Sequence, residues 1–133
     1  MRTDQTVLQA KRFGIFSCSQ DETLQEAARR MVEEDISALV VVDKEGYLVG
    51  IITRIDLLRA LTKLEDWEKF LVKDYMNTEV VTVTPQTQLT RVAELLVDKQ
   101  IHRVVVAREE NGKKKPVSVV SAADLVYHMI KST

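Results

Sequence analysis

Gly50-Ile51-Ile52-Thr53-Arg54-Ile55-Asp56 returns 68 residues later as Ser118-Val119-Val120-Ser121-Ala122-Ala123-Asp124. Each stretch reads as a β-branched strand that ends in a hydroxyl residue, with an aspartate three positions on at the start of a helix. Upstream of the pair the two copies stay in step at a shift of 65: Leu24 falls on Leu89, Ala28 on Ala93, Val32 on Val97 and Ile36 on Ile101. That spacing of four predicts the inner stripe of an amphipathic helix. Val40 and Val41 fall on Val105 and Val106, inside apolar runs at 38–42 and 104–107 that read as buried strands. The change of shift places three extra residues between the two strands of the second copy. Glu109-Glu110-Asn111-Gly112-Lys113-Lys114-Lys115 is polar and holds Asn-Gly, and reads as a longer hairpin loop, while Asp43-Lys44-Glu45-Gly46 reads as the tighter turn.

Each copy therefore reads as strand, helix, two strands, helix. The expected pieces are 15–18, 22–34, 38–42, 47–52 and 54–63, then 80–83, 87–99, 103–107, 116–120 and 122–131. The fold class is α/β (α+β): two βαββα repeats related by pseudo-twofold symmetry. The division falls at 64/65, with 1–64 holding the first repeat and an N-terminal extension, and 65–133 the second with a helical connector at 66–76. Trp67, Phe70 and Leu71 have helical spacing and should pack on the core, and residues 4–12 are expected to add a helix. Thr84-Pro85 suits the turn before a helix, since proline is tolerated near a helix start. Four glycines and two prolines leave no long flexible linker. A unit of about 50 residues buries too little surface to be stable alone. Packing the copies together would solve that and leave a cleft between them, a common place for ligands.

Composition excludes several classes. A net charge of -1 argues against an obligate nucleic-acid binder. No apolar run approaches the ~18 residues of a membrane span. The charged N-terminus lacks a signal-peptide core, so the expected location is cytoplasmic. Cys18 stands alone, cannot form an internal disulfide and reads as a small buried apolar residue. His102 and His128 offer no metal-ligand spacing with it, and His128, beside Tyr127, reads as a surface residue. Lys113-Lys114-Lys115 has no interleaved aromatics and reads as a solvated loop. There is no nucleophile elbow, Walker loop or acid pair on one helix face, so no catalytic residues or metal are assigned and the chain is not read as an enzyme.

The repeated motif itself allows two accounts. Ser/Thr-x-x-Asp is a capping box, which stabilises a helix start by about 1 kcal/mol. The same geometry offers free N–H groups and a hydroxyl to a phosphate, and a carboxylate to the two hydroxyls of a ribose. The set of motif, duplication and strand order, with Tyr75-Met76-Asn77-Thr78-Glu79-Val80-Val81-Thr82-Val83 opening the second copy, resembles a tandem pair of CBS domains, or Bateman module, over about Ile15 to Lys131. The resemblance implies a regulatory, ligand-sensing module for an adenine nucleotide (AMP, ADP or ATP, AMP foremost). S-adenosylmethionine or NAD is the alternative ligand, and no enzyme cofactor is implied.

Carried over by resemblance, the first pocket would use Ile51, Thr53 and Asp56 from copy one. Val80 and Val81 would flank the adenine, and His102 and Arg103 would face the phosphates. The second pocket would use Val119, Ser121 and Asp124, with Ile15, Phe16, Ser37 and Ala38. The pockets are unequal, because Ile101-His102-Arg103 is matched in copy one by the uncharged Ile36-Ser37-Ala38. Arginine binds phosphate through two parallel charge-assisted bonds. The Asp56 pocket is therefore the expected nucleotide site, and Ser118 in place of the motif glycine makes the second pocket the weaker. A structural dimerisation module with vestigial pockets is the competing reading. The resemblance also implies a homodimer through helices 54–63 and 122–131, with Leu57, Leu58, Leu61, Leu125, Val126, Met129 and Ile130 as contact or core residues, and a separate effector protein.

Overall fold

The computed structural model describes residues 5–10 and 14–131. The first repeat is built from β1 (Ser17–Ser19), α2 (Leu24–Glu34), β2 (Ala38–Val42), β3 (Leu48–Thr53) and α3 (Arg54–Lys63). The second has β4 (Thr82–Val83), α5 (Leu89–Lys99), β5 (Arg103–Glu110), β6 (Lys113–Ser121) and α6 (Ala122–Lys131). A four-residue helix precedes each: α1 (Val7–Ala10) and α4 (Val72–Tyr75). This is the expected α+β duplication, and all ten pieces of the two repeats are present.

Local chemistry explains the elements. Thr23 caps α2 in a capping box: its hydroxyl accepts from the Glu26 amide, and the Glu26 carboxylate accepts from the Thr23 amide. Those Thr23 donors hold the Glu26 carboxyl below the usual range. Both long helices end in a residue with left-handed backbone at the same repeat position, Asp35 (φ 50°) and Gln100 (φ 53°). Each ends the helix by turning the chain back, so that Ile36 and Ile101 donate to the Met31 and Leu96 carbonyls.

Each repeat forms its own three-stranded sheet, β1-β2-β3 and β4-β5-β6, with the first pair parallel and the second antiparallel. The register repeats as well. Val40 lies opposite Ile51 and Val41 opposite Gly50; Val105 lies opposite Val119 and Val106 opposite Ser118. A bulge follows at the same point in both, between Val41/Val42 and Val106/Ala107.

Three expectations need correction. The three extra residues of copy two do not lengthen the hairpin loop. They extend the strands: β5 and β6 run on to a two-residue turn, Asn111-Gly112, while copy one keeps the longer loop, residues 43–47. Lys113, Lys114 and Lys115 are thus strand residues opposite Glu110, Glu109 and Arg108, and Lys114 Nζ donates to Thr82 Oγ1 at 2.6 Å. The inner stripe of α2 is Leu24, Ala27 and Met31, not the series of fours; Val32 is 80% exposed and its counterpart Val97 75%. The connector is one 3-10 turn (Trp67–Lys69) and α4 rather than a continuous helix, and of the helix expected at 4–12 the described part is α1.

The compact units of the structure follow a different line from the repeats of the sequence. The chain separates into two compact units, Phe16–Val80 and residues 1–15 with 81–133. Trp67, Phe70, Val72, Tyr75 and Met76 pack with Leu24, Leu39, Ile52 and Ala60 of the first repeat. Val7 and Ala10 pack with Leu89, Val92, Val104 and Leu125 of the second. Each short helix belongs to the repeat that it does not directly precede. The reason is apolar: Val7 and Val72 are fully buried where they sit.

Candidate functional site

In each unit the repeated motif places a hydroxyl and a carboxylate where a strand becomes a helix. The Asp56 Oδ2 accepts from the Thr53 amide at 2.8 Å and from Thr53 Oγ1 at 3.0 Å, and Asp56 N donates back to Thr53 Oγ1 at 3.4 Å. The second copy repeats this: Ser121 N to Asp124 Oδ2 is 2.8 Å, Ser121 Oγ to Asp124 Oδ2 3.1 Å, and Asp124 N to Ser121 Oγ 3.3 Å. The capping geometry is therefore present twice. Asp56 is only 7% exposed, while Asp124 is half-buried. A carboxylate this enclosed must be held by donors, because unpaired burial of charge is costly.

The backbone at each helix start is partly spent. Arg54 N donates to the Ser37 carbonyl at 3.1 Å, and Ala122 N donates to the His102 carbonyl at 3.0 Å. With Asp56 N and Asp124 N also bonded, a phosphate would find fewer open N–H groups there than an uncapped helix offers.

Within the first-repeat unit, Ala38 lies opposite Thr53 in the sheet, so exposed Ser37, half-buried Ala38, Thr53 and Asp56 share one end of β2 and β3. Buried Ile51 exchanges backbone bonds with Asn77, both at 2.9 Å. Half-exposed Phe16 supplies the carbonyl that accepts from Val40 N, and half-buried Val80 closes the unit; half-buried Ile15, next to Phe16 in the chain, belongs to the second-repeat unit. Within the second-repeat unit, Arg103 lies opposite Ser121, and exposed His102 adjoins it, so His102, Arg103, Ser121 and Asp124 share the corresponding end of β5 and β6. Half-buried Val119 lies opposite Val105, whose amide donates to the Val81 carbonyl at 3.0 Å.

Two contacts carry no mark in the motif. Arg59 Nη1 donates to Asp56 Oδ1 at 3.1 Å, and Arg54 Nη2 lies 3.6 Å from Asp35 Oδ1. The first was readable as an Asp-x-x-Arg pair at helical spacing. Burial pushes the Cys18 thiol up to about 12, with Glu22 adding to the shift, which fits an inert core residue. Among the described residues no cluster of His, Cys, Asp and Glu could hold a metal, and no helix is long and apolar enough to cross a membrane.

The duplicated sheet, register and cap correspond to a known family. The family profile described as "CBS domain" matches twice, over residues 10–63 and 72–131. The chain belongs to the CBS domain family. It is 32% identical over 118 residues to a mitochondrial CBS domain-containing protein, CBSX3, of Arabidopsis thaliana, covering 85% of this chain and 55% of that protein. Among solved structures, the CBS domain of NE2398 superposes with a TM-score of 0.80 at 27% identity, covering 93% and 94% of the two chains. The CBS domain pair of protein MJ0100, solved with 5′-methylthioadenosine and S-adenosyl-L-methionine, has the same fold (TM-score 0.83, 23% identity, 97% and 98% coverage). The chain spans between 55% and 63% of the length of the first curated relatives it matches. Tandem CBS pairs are regulatory modules.

Proposed function

We propose that this CBS pair is a cytoplasmic ligand sensor that binds an adenine nucleotide, AMP foremost, and regulates a separate effector protein. The observation that carries the reading is the buried Asp56 carboxylate, presented with a hydroxyl at the start of a helix. Asp56 would take the ribose hydroxyls, and Thr53 and Ile51 would line the same half-site. Val80 and Val81 would flank the adenine, and His102 and Arg103 would bind phosphate. Val119, Ser121 and Asp124, with Ile15, Phe16, Ser37 and Ala38, would form the weaker site. The adenosine compounds bound by the CBS pair of MJ0100 support this chemical class and keep S-adenosylmethionine, beside NAD, as the alternative ligand.

Calorimetry with AMP, ADP, ATP, S-adenosylmethionine and NAD tests the reading; absence of heat at millimolar concentration for all five would sink it. Asp56→Ala should weaken AMP binding at least about tenfold, a loss of about 1.4 kcal/mol, and more than Asp124→Ala does. Equal losses would overturn the ranking of the sites.

A second reading, a homodimerisation module with vestigial pockets, rests on exposed apolar residues. Ile55, Leu58 and Leu61 on α3, and Val126, Met129 and Ile130 on α6, are all more than half exposed. Such residues on helices 54–63 and 122–131 would suit a contact between two copies. Light scattering should then give a dimer with or without nucleotide, and a monomer at high concentration would remove this reading.

A further inference from the structure

Both oxygens of the Asp56 carboxylate are already engaged. Oδ2 accepts twice from Thr53, through its amide and its hydroxyl. Oδ1 accepts from Arg59 Nη1 at 3.1 Å. A carboxylate offers about four lone-pair positions, so the capacity left for a ligand lies on Oδ1, where Arg59 stands. The two partners differ in freedom. The Asp56 side chain is enclosed, whereas that of Arg59 is 63% exposed and can swing into water. The second repeat keeps the cap and changes this position: three residues after Asp124 comes Tyr127, whose ring meets His128 edge-on at 5.4 Å.

We infer that Arg59 is a specificity-determining counter-ion of the Asp56 half-site. This rests on the reading of Asp56 as a ligand contact. An arriving hydroxyl must share or take Oδ1 from the guanidinium. For an uncharged nucleoside the exchange gives up an ion pair for a hydrogen bond from a neutral donor to the same carboxylate, so the charge–charge attraction is lost. A nucleotide brings its own negative charge close to the guanidinium, within the roughly 8–10 Å over which charges act in physiological salt. Arg59 therefore opposes adenosine and favours AMP. It acts through Asp56 and through charge, as a positioning residue.

Calorimetry of wild type, Arg59→Met and Arg59→Lys with adenosine and with AMP tests this. An exposed ion pair contributes up to about 1 kcal/mol. Arg59→Met should accordingly bind adenosine about two- to fivefold tighter, and its preference for AMP over adenosine should fall by at least that factor. Arg59→Lys keeps the charge and should retain the preference, which a merely structural role would not require. Arg59→Gln gives the same comparison if the methionine variant fails a circular dichroism melt. If wild type binds and removal of the charge leaves adenosine affinity or the AMP preference unchanged, the inference falls while the proposed function stands. If neither ligand binds wild type or variant at millimolar concentration, the inference falls, and the proposed function falls with it when ADP, ATP, S-adenosylmethionine and NAD give no heat either.

Discussion

At the scale of single residues, the instructive pair is Gly50 and Ser118, which occupy the same register position in the two sheets. A Cβ on Gly50 would lie 2.8 Å from Met76 Sδ and 2.9 Å from the Asn77 carbonyl oxygen. The thioether can move. The carbonyl cannot, because it accepts from Ile51 N while Asn77 N donates to the Ile51 carbonyl. Gly50→Ala should therefore destabilise the protein by about 1–3 kcal/mol, as overpacking does. Ser118 fills the corresponding site with a hydroxyl that is fully buried and, among the described residues, has no hydrogen-bond partner. Ser118→Ala should raise stability by about 1 kcal/mol, since a buried unpaired hydroxyl carries an uncompensated desolvation cost. Urea unfolding measures both changes, and a loss of stability in Ser118→Ala would mean that the hydroxyl has a partner. The sequence flagged the Gly/Ser difference but attached it to a ligand pocket. The contact that demands glycine comes from residues 76–77, and nothing in a linear reading brings those beside residue 50.

At the scale of elements, the strands and helices were legible because their signals are local: β-branched runs, hydroxyl caps and alternating polarity. The inner face of α2 departs from the series of fours for a geometric reason. Identical residues repeat at Leu24, Ala28, Val32 and Ile36, but a helix turns about 100° per residue, so each step of four advances about 40°. Two steps carry Val32 out of the core, while Ala27 and Met31 remain on the buried face. Identity between copies thus marked something other than burial, since Val32 and Val97 are both exposed. The hairpin differs from the expected long loop because Asn-Gly is itself the whole turn. Asn111 at φ 53° and Gly112 at φ 74° form the mirror-image turn that matches strand twist, which lets β5 and β6 pair up to it. Among the described residues, and apart from its chain neighbours, no atom lies within 4 Å of a Cβ placed on Gly112. Gly112→Ala should cost only the backbone penalty of about 1–2 kcal/mol, with no change in the rest of the sheet. A loss well above that, seen by thermal or urea unfolding, would show that the turn is not the local feature described.

At the scale of the whole molecule, the true repeat is longer than the βαββα motif and begins with a short helix. Val7 and Val72 are 65 positions apart, and so are the bonds around them. Leu89 N donates to the Gln5 carbonyl and Leu24 N to the Phe70 carbonyl, both at 2.8 Å; Val7 N donates to Thr87 O and Val72 N to Glu22 O. The same strap is thus used twice, each time on the repeat that does not directly follow it in the chain. The sequence did not expose this, because the two segments share little beyond the valine, and short connectors carry no periodicity. The arrangement has a consequence for local stability. Val7 fills the second-repeat core beside Leu89, Val92 and Leu96; Val72 fills the first-repeat core beside Leu24, Leu39 and Ile52. Truncating either should remove about 2 kcal/mol, the low end of large-to-small core losses. Amide hydrogen exchange reads where the loss falls, since local opening reports the stability of each cooperative unit. Val7→Ala should speed exchange in β5 and β6 and leave β2 and β3 protected, although residue 7 stands at the far end of the chain from them. Val72→Ala should do the reverse, although residue 72 adjoins the second repeat. If each valine instead loosened the repeat that follows it in sequence, the crossed assignment of the straps would be wrong.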